Sequence, residues 1–154
     1  MKPISKNAIK EYFDKTLKKA KVIDAIEKAG SYTGPKMLQD YMPTIHIDRE
    51  IKGFPQNVAG YAQGCTQVHI AEWILADESE AKGVVRHEVA HILQHYQCIR
   101  DNWPLPQPHG KTFTSALKIV APNTWRKDRH WVDNPNIEKA RKECKHKPTK
   151  ILLT

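Results

Sequence analysis

Val84-Val85-Arg86-His87-Glu88-Val89-Ala90-His91-Ile92-Leu93 decides how this 154-residue chain folds. It lies inside a run, from about Glu80 to Ile99, with helical spacing of its apolar residues and with Asp77 or Ser79 available as a cap. At about 100° per residue, Val85, Val89, Ile92, Tyr96 and Ile99 form one stripe, while His87, His91 and His95 share the other side with Val84. Ala90 and Leu93 fill more of the circumference. A helix apolar over most of its surface is predicted to be buried, and imidazoles on a buried helix need partners.

The same stretch contains His87-Glu88-Val89-Ala90-His91, an H-E-x-x-H pattern. Residues four apart stand one turn apart on one helix face, so both imidazoles can reach a single ion, with Glu88 beside them. That spacing suits metal-assisted hydrolysis, in which the ion acidifies a water and polarises a carbonyl while the glutamate carries the proton to the leaving amine. A hydrolytic zinc site requires a third protein ligand and an open fourth position. His95 continues the row but lies two turns, about 12 Å, from His87. His109 is the better candidate: Pro108 holds the preceding backbone extended and Gly110 permits a sharp turn into the next helix.

Outward from this segment the spacing predicts an α+β chain. An amphipathic helix is expected over 5–30, capped by Ser5 and stopped at Gly30, followed by a turn at Tyr32–Pro35 and a short helix from Pro35 to Tyr41. Alternation in Thr44–Ile51 sets Ile45, Ile47 and Ile51 against His46, Asp48 and Glu50, as in a half-buried strand. Two further strands, Val58–Gln63 and Thr66–Trp73, give a small antiparallel sheet over 44–73, with Thr66–Trp73 the expected exposed edge for a peptide. His46 and His69 read as surface or structural residues. A proline-rich loop and a helix complete residues 101–121, and 122–154 form a basic C-terminal extension with a short helix from Pro135 to Lys145.

Charge is unevenly divided. Of 25 basic and 17 acidic side chains, residues 1–30 hold 8 and 4, residues 31–110 hold 6 and 9, and residues 111–154 hold 11 and 4. The basic ends suggest a polyanion partner. In Trp125-Arg126-Lys127-Asp128-Arg129-His130-Trp131, followed by Arg141 and Lys142, aromatics interleave with cations, so bases could stack on Trp125 and Trp131 while the cations neutralise phosphates. The competing reading packs both tryptophans onto the core. No stretch approaches the roughly 20 apolar residues of a membrane span. Three cysteines, Cys65, Cys98 and Cys144, with no C-x-x-C pair, argue against a disulfide framework and fit a reducing, cytoplasmic setting.

Together, Val84 to Leu93 and the later Pro108-His109-Gly110-Lys111-Thr112-Phe113 resemble the two signature segments of the SprT-like metalloproteases. The resemblance covers roughly residues 44–121. It implies a zincin-like domain at 1–121, one Zn2+ held by His87, His91 and His109, and Glu88 as general base. It further implies proteolysis of DNA-bound or DNA-crosslinked proteins; a monomer acting in a bacterium, or encoded by a virus that infects one, is the expected setting. Tyr61, Tyr96 and His130 are candidates to stabilise the oxyanion. Bacterial members typically end in a zinc ribbon, whereas Cys144 stands alone, so the basic segment is the expected contact with DNA of single-stranded character. Two alternatives remain: a nucleic-acid-binding protein on an inactive scaffold with a structural zinc, and a protease whose third ligand is a carboxylate such as Glu138.

Overall fold

The computed structural model describes residues 2–22, 24–25, 42–49, 58–63, 66–100 and 109–129 of the chain. Helix α1, Lys6–Lys19, starts where expected: the Ser5 hydroxyl accepts the Ala8 N–H at 3.1 Å. Ile9, Phe13, Thr16 and Leu17 form its buried face. The predicted single helix over 5–30 is interrupted, because Lys21 has φ 55 and the chain leaves α1 at Ala20. On a straight helix at 100° per residue, Val22 and Ala25 would project nearly opposite Ile9 and Phe13. The break re-aims the chain, and both residues are buried.

Strands β1 (Thr44–Asp48), β2 (Gly60–Gln63) and β3 (Gln67–Ala71) form one sheet in the order β1-β3-β2. β2 pairs antiparallel with β3, but β1 pairs parallel, so the expected antiparallel meander is corrected to a mixed sheet. Alternation assigns residues to faces without naming neighbours. β3 takes the centre because Val68, Ile70 and Ala71 are all fully buried, whereas only Gly60 is buried in β2. Thr66–Trp73 is therefore not the exposed edge, and Trp73 belongs to a following 3-10 turn, Glu72–Ala76.

The register sets Ile45 and Ile47 beside Val68 and Ile70 on the core side. On the opposite face His46, His69 and Tyr61 stand in one row, their rings stacked at 4.8 and 4.6 Å. His69 Nδ1 meets Asp48 Oδ2 at 2.7 Å and its Nε2 meets Gln67 Oε1 at 2.9 Å, so these histidines are occupied within the sheet, as expected.

Helix α2, Glu78–Arg100, is the central element and opens at Asp77, whose Oδ1 accepts the Glu80 N–H at 3.3 Å. It is buried nearly all round through Ala81, Val84, Val85, Val89, Ala90, Ile92, Leu93 and Tyr96. The sheet, α1 and helix α3 (Lys111–Val120) pack on it, with Trp73, Phe13, Phe113, Ile70 and Leu117 as large buried side chains. A turn at 122–124 leads into a short helix α4, Trp125–Arg129, which returns to α2 and α3. The start of the basic extension thus belongs to the packed domain. No helix among the described residues is long and apolar enough to cross a membrane.

Candidate metal centre

α2 brings His87 and His91 to one face, and the turn at 109–110 that starts α3 carries His109 onto the same place. One ring nitrogen from each of the three falls within 4.8 Å of the others, close enough to hold a metal ion. His87 Nε2 and His109 Nε2 lie 3.2 Å apart. Two nitrogens, each about 2.05 Å from a tetrahedral ion, stand roughly 3.3 Å apart, so this pair fits a zinc-sized cation. Phe113 floors the cluster, its ring 4.9, 4.3 and 5.1 Å from those of His87, His91 and His109. The histidines grade from buried His87 through half-buried His91 to exposed His109, which leaves the cluster approachable from the His109 side.

Both helix-borne rings are hydrogen-bonded. His87 Nδ1 donates to the Asp128 backbone carbonyl at 2.6 Å, so Nδ1 carries the proton and Nε2 offers the lone pair. His91 is hydrogen-bonded by Gln94, whose amide nitrogen donates to Thr112 Oγ1 at 2.7 Å. Desolvation, helped by His109 and His95 and opposed by the Gln94 bond, pulls His91 down to about 4, so the ring is neutral at pH 7 and ready to ligate.

Glu88 is only 2% exposed, and desolvation pushes its carboxyl up to about 8. This gives a pH signature for the metal-free protein. Glu88 favours folding while protonated, a contribution complete below its ordinary 4.5 and lost as pH rises through 8. His91 favours folding while neutral, a contribution complete above 6.5 and lost as pH falls through 4. The two oppose each other up to pH 6.5, above which Glu88 acts alone. Urea unfolding of chelator-treated protein is expected to show stability falling by up to about 1.4 kcal/mol per pH unit between pH 6.5 and 8. Glu88→Gln should remove that decline, and an equal decline in the variant would show that another group causes it.

Gly60 explains how β2 comes so close to Glu88. A Cβ there would stand 2.7 Å from Val84 Cγ1, 3.0 Å from the His69 carbonyl oxygen and 3.5 Å from Glu88 Cγ. Among the described residues β2 pairs only with β3, so its other side is an edge of the described sheet. Gly60→Ala is expected to cost roughly 1–3 kcal/mol through overpacking. A Val84→Ala/Gly60→Ala double variant should be more stable than the sum of the singles, and strict additivity would refute the contact.

Two of the three oxyanion candidates, Tyr61 and Tyr96, are placed by the structure, and neither faces the histidine cluster. Tyr61 projects from the face opposite Gly60 and stacks on His69, where desolvation and then Asp48 raise its pKa. Tyr96 is buried on the side of α2 opposite His87. His130 lies outside the described residues, as do Trp131, Glu138, Arg141 and Lys142. Trp125 packs against the core with Lys118 Nζ and the Arg126 guanidinium each 4.7 Å from its ring, which follows the packing reading. Arg126 and Lys127 are exposed, and Lys127 pairs with Glu80 at 3.1 Å. Arg129 Nη2 reaches the His109 carbonyl at 3.5 Å.

Gln94 and Asp128 are hydrogen-bonded to His91 and His87, and Thr112 and Arg86 to Gln94 and Asp128 in turn; the sequence pattern singles out none of the four. The i+3 spacing of Gln94 from His91 is a usable signal, whereas nothing local marks Asp128. No family model, no curated protein and no solved structure matches the chain.

Proposed function

We propose that this chain is a zinc-dependent endopeptidase of the SprT-like kind that cleaves proteins bound or crosslinked to DNA. The observation that carries the reading is the convergence of His87, His91 and His109 with Glu88 on the adjacent helical position. Three imidazoles without a fourth candidate donor in the group among the described residues support the donor set of a hydrolytic zinc site. A zinc ion bound there supplies Lewis acidity, polarising a scissile carbonyl and lowering the pKa of a water towards roughly 7.

The chain's own residues supply the rest. Glu88, which burial alone holds protonated and the nearby cation's charge would ionise, would accept the water's proton and return it to the leaving amine. Phe113 and the apolar body of α2 keep bulk water from the inner side of the cluster. The β2 edge, held against Glu88 by Gly60, offers backbone groups that can align an extended peptide as an added strand. Strand addition reads little side-chain identity, so selectivity would come from localisation on DNA. The net charge of +8 supports a polyanion partner.

The test is cleavage of a protein crosslinked to single-stranded DNA, with and without chelator, and with the same protein free of DNA. Chelator-sensitive cleavage that rises on DNA supports the reading. Stoichiometric zinc with salt-sensitive DNA binding and no cleavage would instead establish the inactive-scaffold alternative.

A further inference from the structure

Asp128, an acid within a basic run, is among the most buried polar residues described, with 1% of its surface exposed. Its Oδ2 accepts from Arg86 Nε at 2.6 Å and from the Thr124 hydroxyl at 2.7 Å, and its Oδ1 accepts from Arg86 Nη2 at 3.0 Å. The bidentate fork is the strong form of this pair, and Arg86 Nη1 is itself tied to the Tyr12 hydroxyl on α1 at 2.9 Å. Burial alone would lower the Arg86 pKa, but Asp128 and Tyr12 outweigh it and hold the guanidinium charged. Gly83 makes room: a Cβ there would meet Asp128 Oδ1 at 3.1 Å and Arg86 Nη2 at 3.5 Å. Gly83, Arg86 and His87 therefore all meet one residue of α4.

We infer that Asp128 is a positioning residue for His87. Arg86 and Thr124 fix its carboxylate, and its backbone carbonyl thereby fixes the plane and tautomer of the His87 ring, turning Nε2 towards His91 and His109. The orienting acceptor is a main-chain oxygen, so substitution of Asp128 leaves that oxygen in the chain and removes only what holds it in place. Arg86, next to the ligand in sequence, grips the residue that orients the ligand. The affinity part of this inference rests on the proposed metal site.

The experiment compares wild type, Asp128→Asn, Thr124→Val and His91→Ala by zinc competition against a chromophoric chelator, by the cobalt(II) absorption spectrum, and by NMR of the imidazole nitrogens. Asp128→Asn is expected to weaken zinc binding by about 10–100-fold, to alter the cobalt spectrum, and to weaken the hydrogen-bonded His87 Nδ1–H signal. Thr124→Val, which removes one bond to Oδ2, should move all three the same way by less, and it carries the test if Asp128→Asn does not fold. Wild-type zinc affinity and an unchanged His87 signal in the folded variants would overturn the inference. If wild type binds zinc no better than His91→Ala, the metal reading fails, and the His87 signal alone then decides whether Asp128 orients the ring.

Discussion

Glu88→Gln is expected to leave zinc bound and to lower peptide-bond hydrolysis by about 10²–10⁴-fold, the usual contribution of a positioned general base. The amide matches the carboxyl in size, so a side chain only 2% exposed is replaced without opening a cavity. What is lost is the ability to accept and return a proton. A second consequence separates this role from a structural one. A divalent cation near a carboxyl held up at about 8 favours its charged form, so at pH 7 zinc binding should expel a proton from Glu88. Calorimetry in buffers of different ionisation enthalpy should therefore find close to one proton more released by wild type than by Glu88→Gln. His91 makes no large contribution to that difference, because its ring is neutral at pH 7 in both proteins. Full activity in Glu88→Gln would end the proposed mechanism.

Loss of the third ligand should have the largest effect on the metal. Zinc binding to a four-ligand site is worth roughly 10–16 kcal/mol, so each ligand accounts for about 3 kcal/mol and His109→Ala should weaken zinc by at least about 100-fold. The remaining pair, His87 and His91, would still present one face of α2, but two ligands leave the ion's outer side to water. The exposed position of His109 makes the substitution informative, because it removes little packing and the fold should persist. Equal zinc affinity in His109→Ala would mean that the third ligand lies elsewhere, as in the carboxylate alternative at Glu138.

The legible parts of the molecule are those governed by short-range rules. The period of 3.6 in α2 locates both helix-borne histidines and the burial of their helix, and Ser5 and Asp77 are readable as caps because capping is local. His109 is legible through the backbone chemistry of its proline and glycine neighbours. Sheet order is not, since alternation in β1 fixes which face Ile45 occupies but not which strand lies alongside. The break at Lys21 is hidden because lysine ordinarily continues a helix, and only the position of the core, set by tertiary packing, requires the turn. Asp128 is the deepest omission. In sequence it interrupts a cationic run that resembles a surface for phosphates, and its partner Arg86 is 42 residues away.

Two of the histidines come from α2 and the third from the turn before α3, so only the folded chain brings their nitrogens within reach of one ion. A ligand that binds the native state alone raises its stability by mass action, by about 2.7 kcal/mol when free zinc stands at roughly 100 times its Kd. That is a large share of the roughly 5–15 kcal/mol that holds a domain of this size together. Zinc supply would then govern how much of the chain survives in a cell as well as how much of it is active. The metal-starved form would be both inert and the first to be degraded.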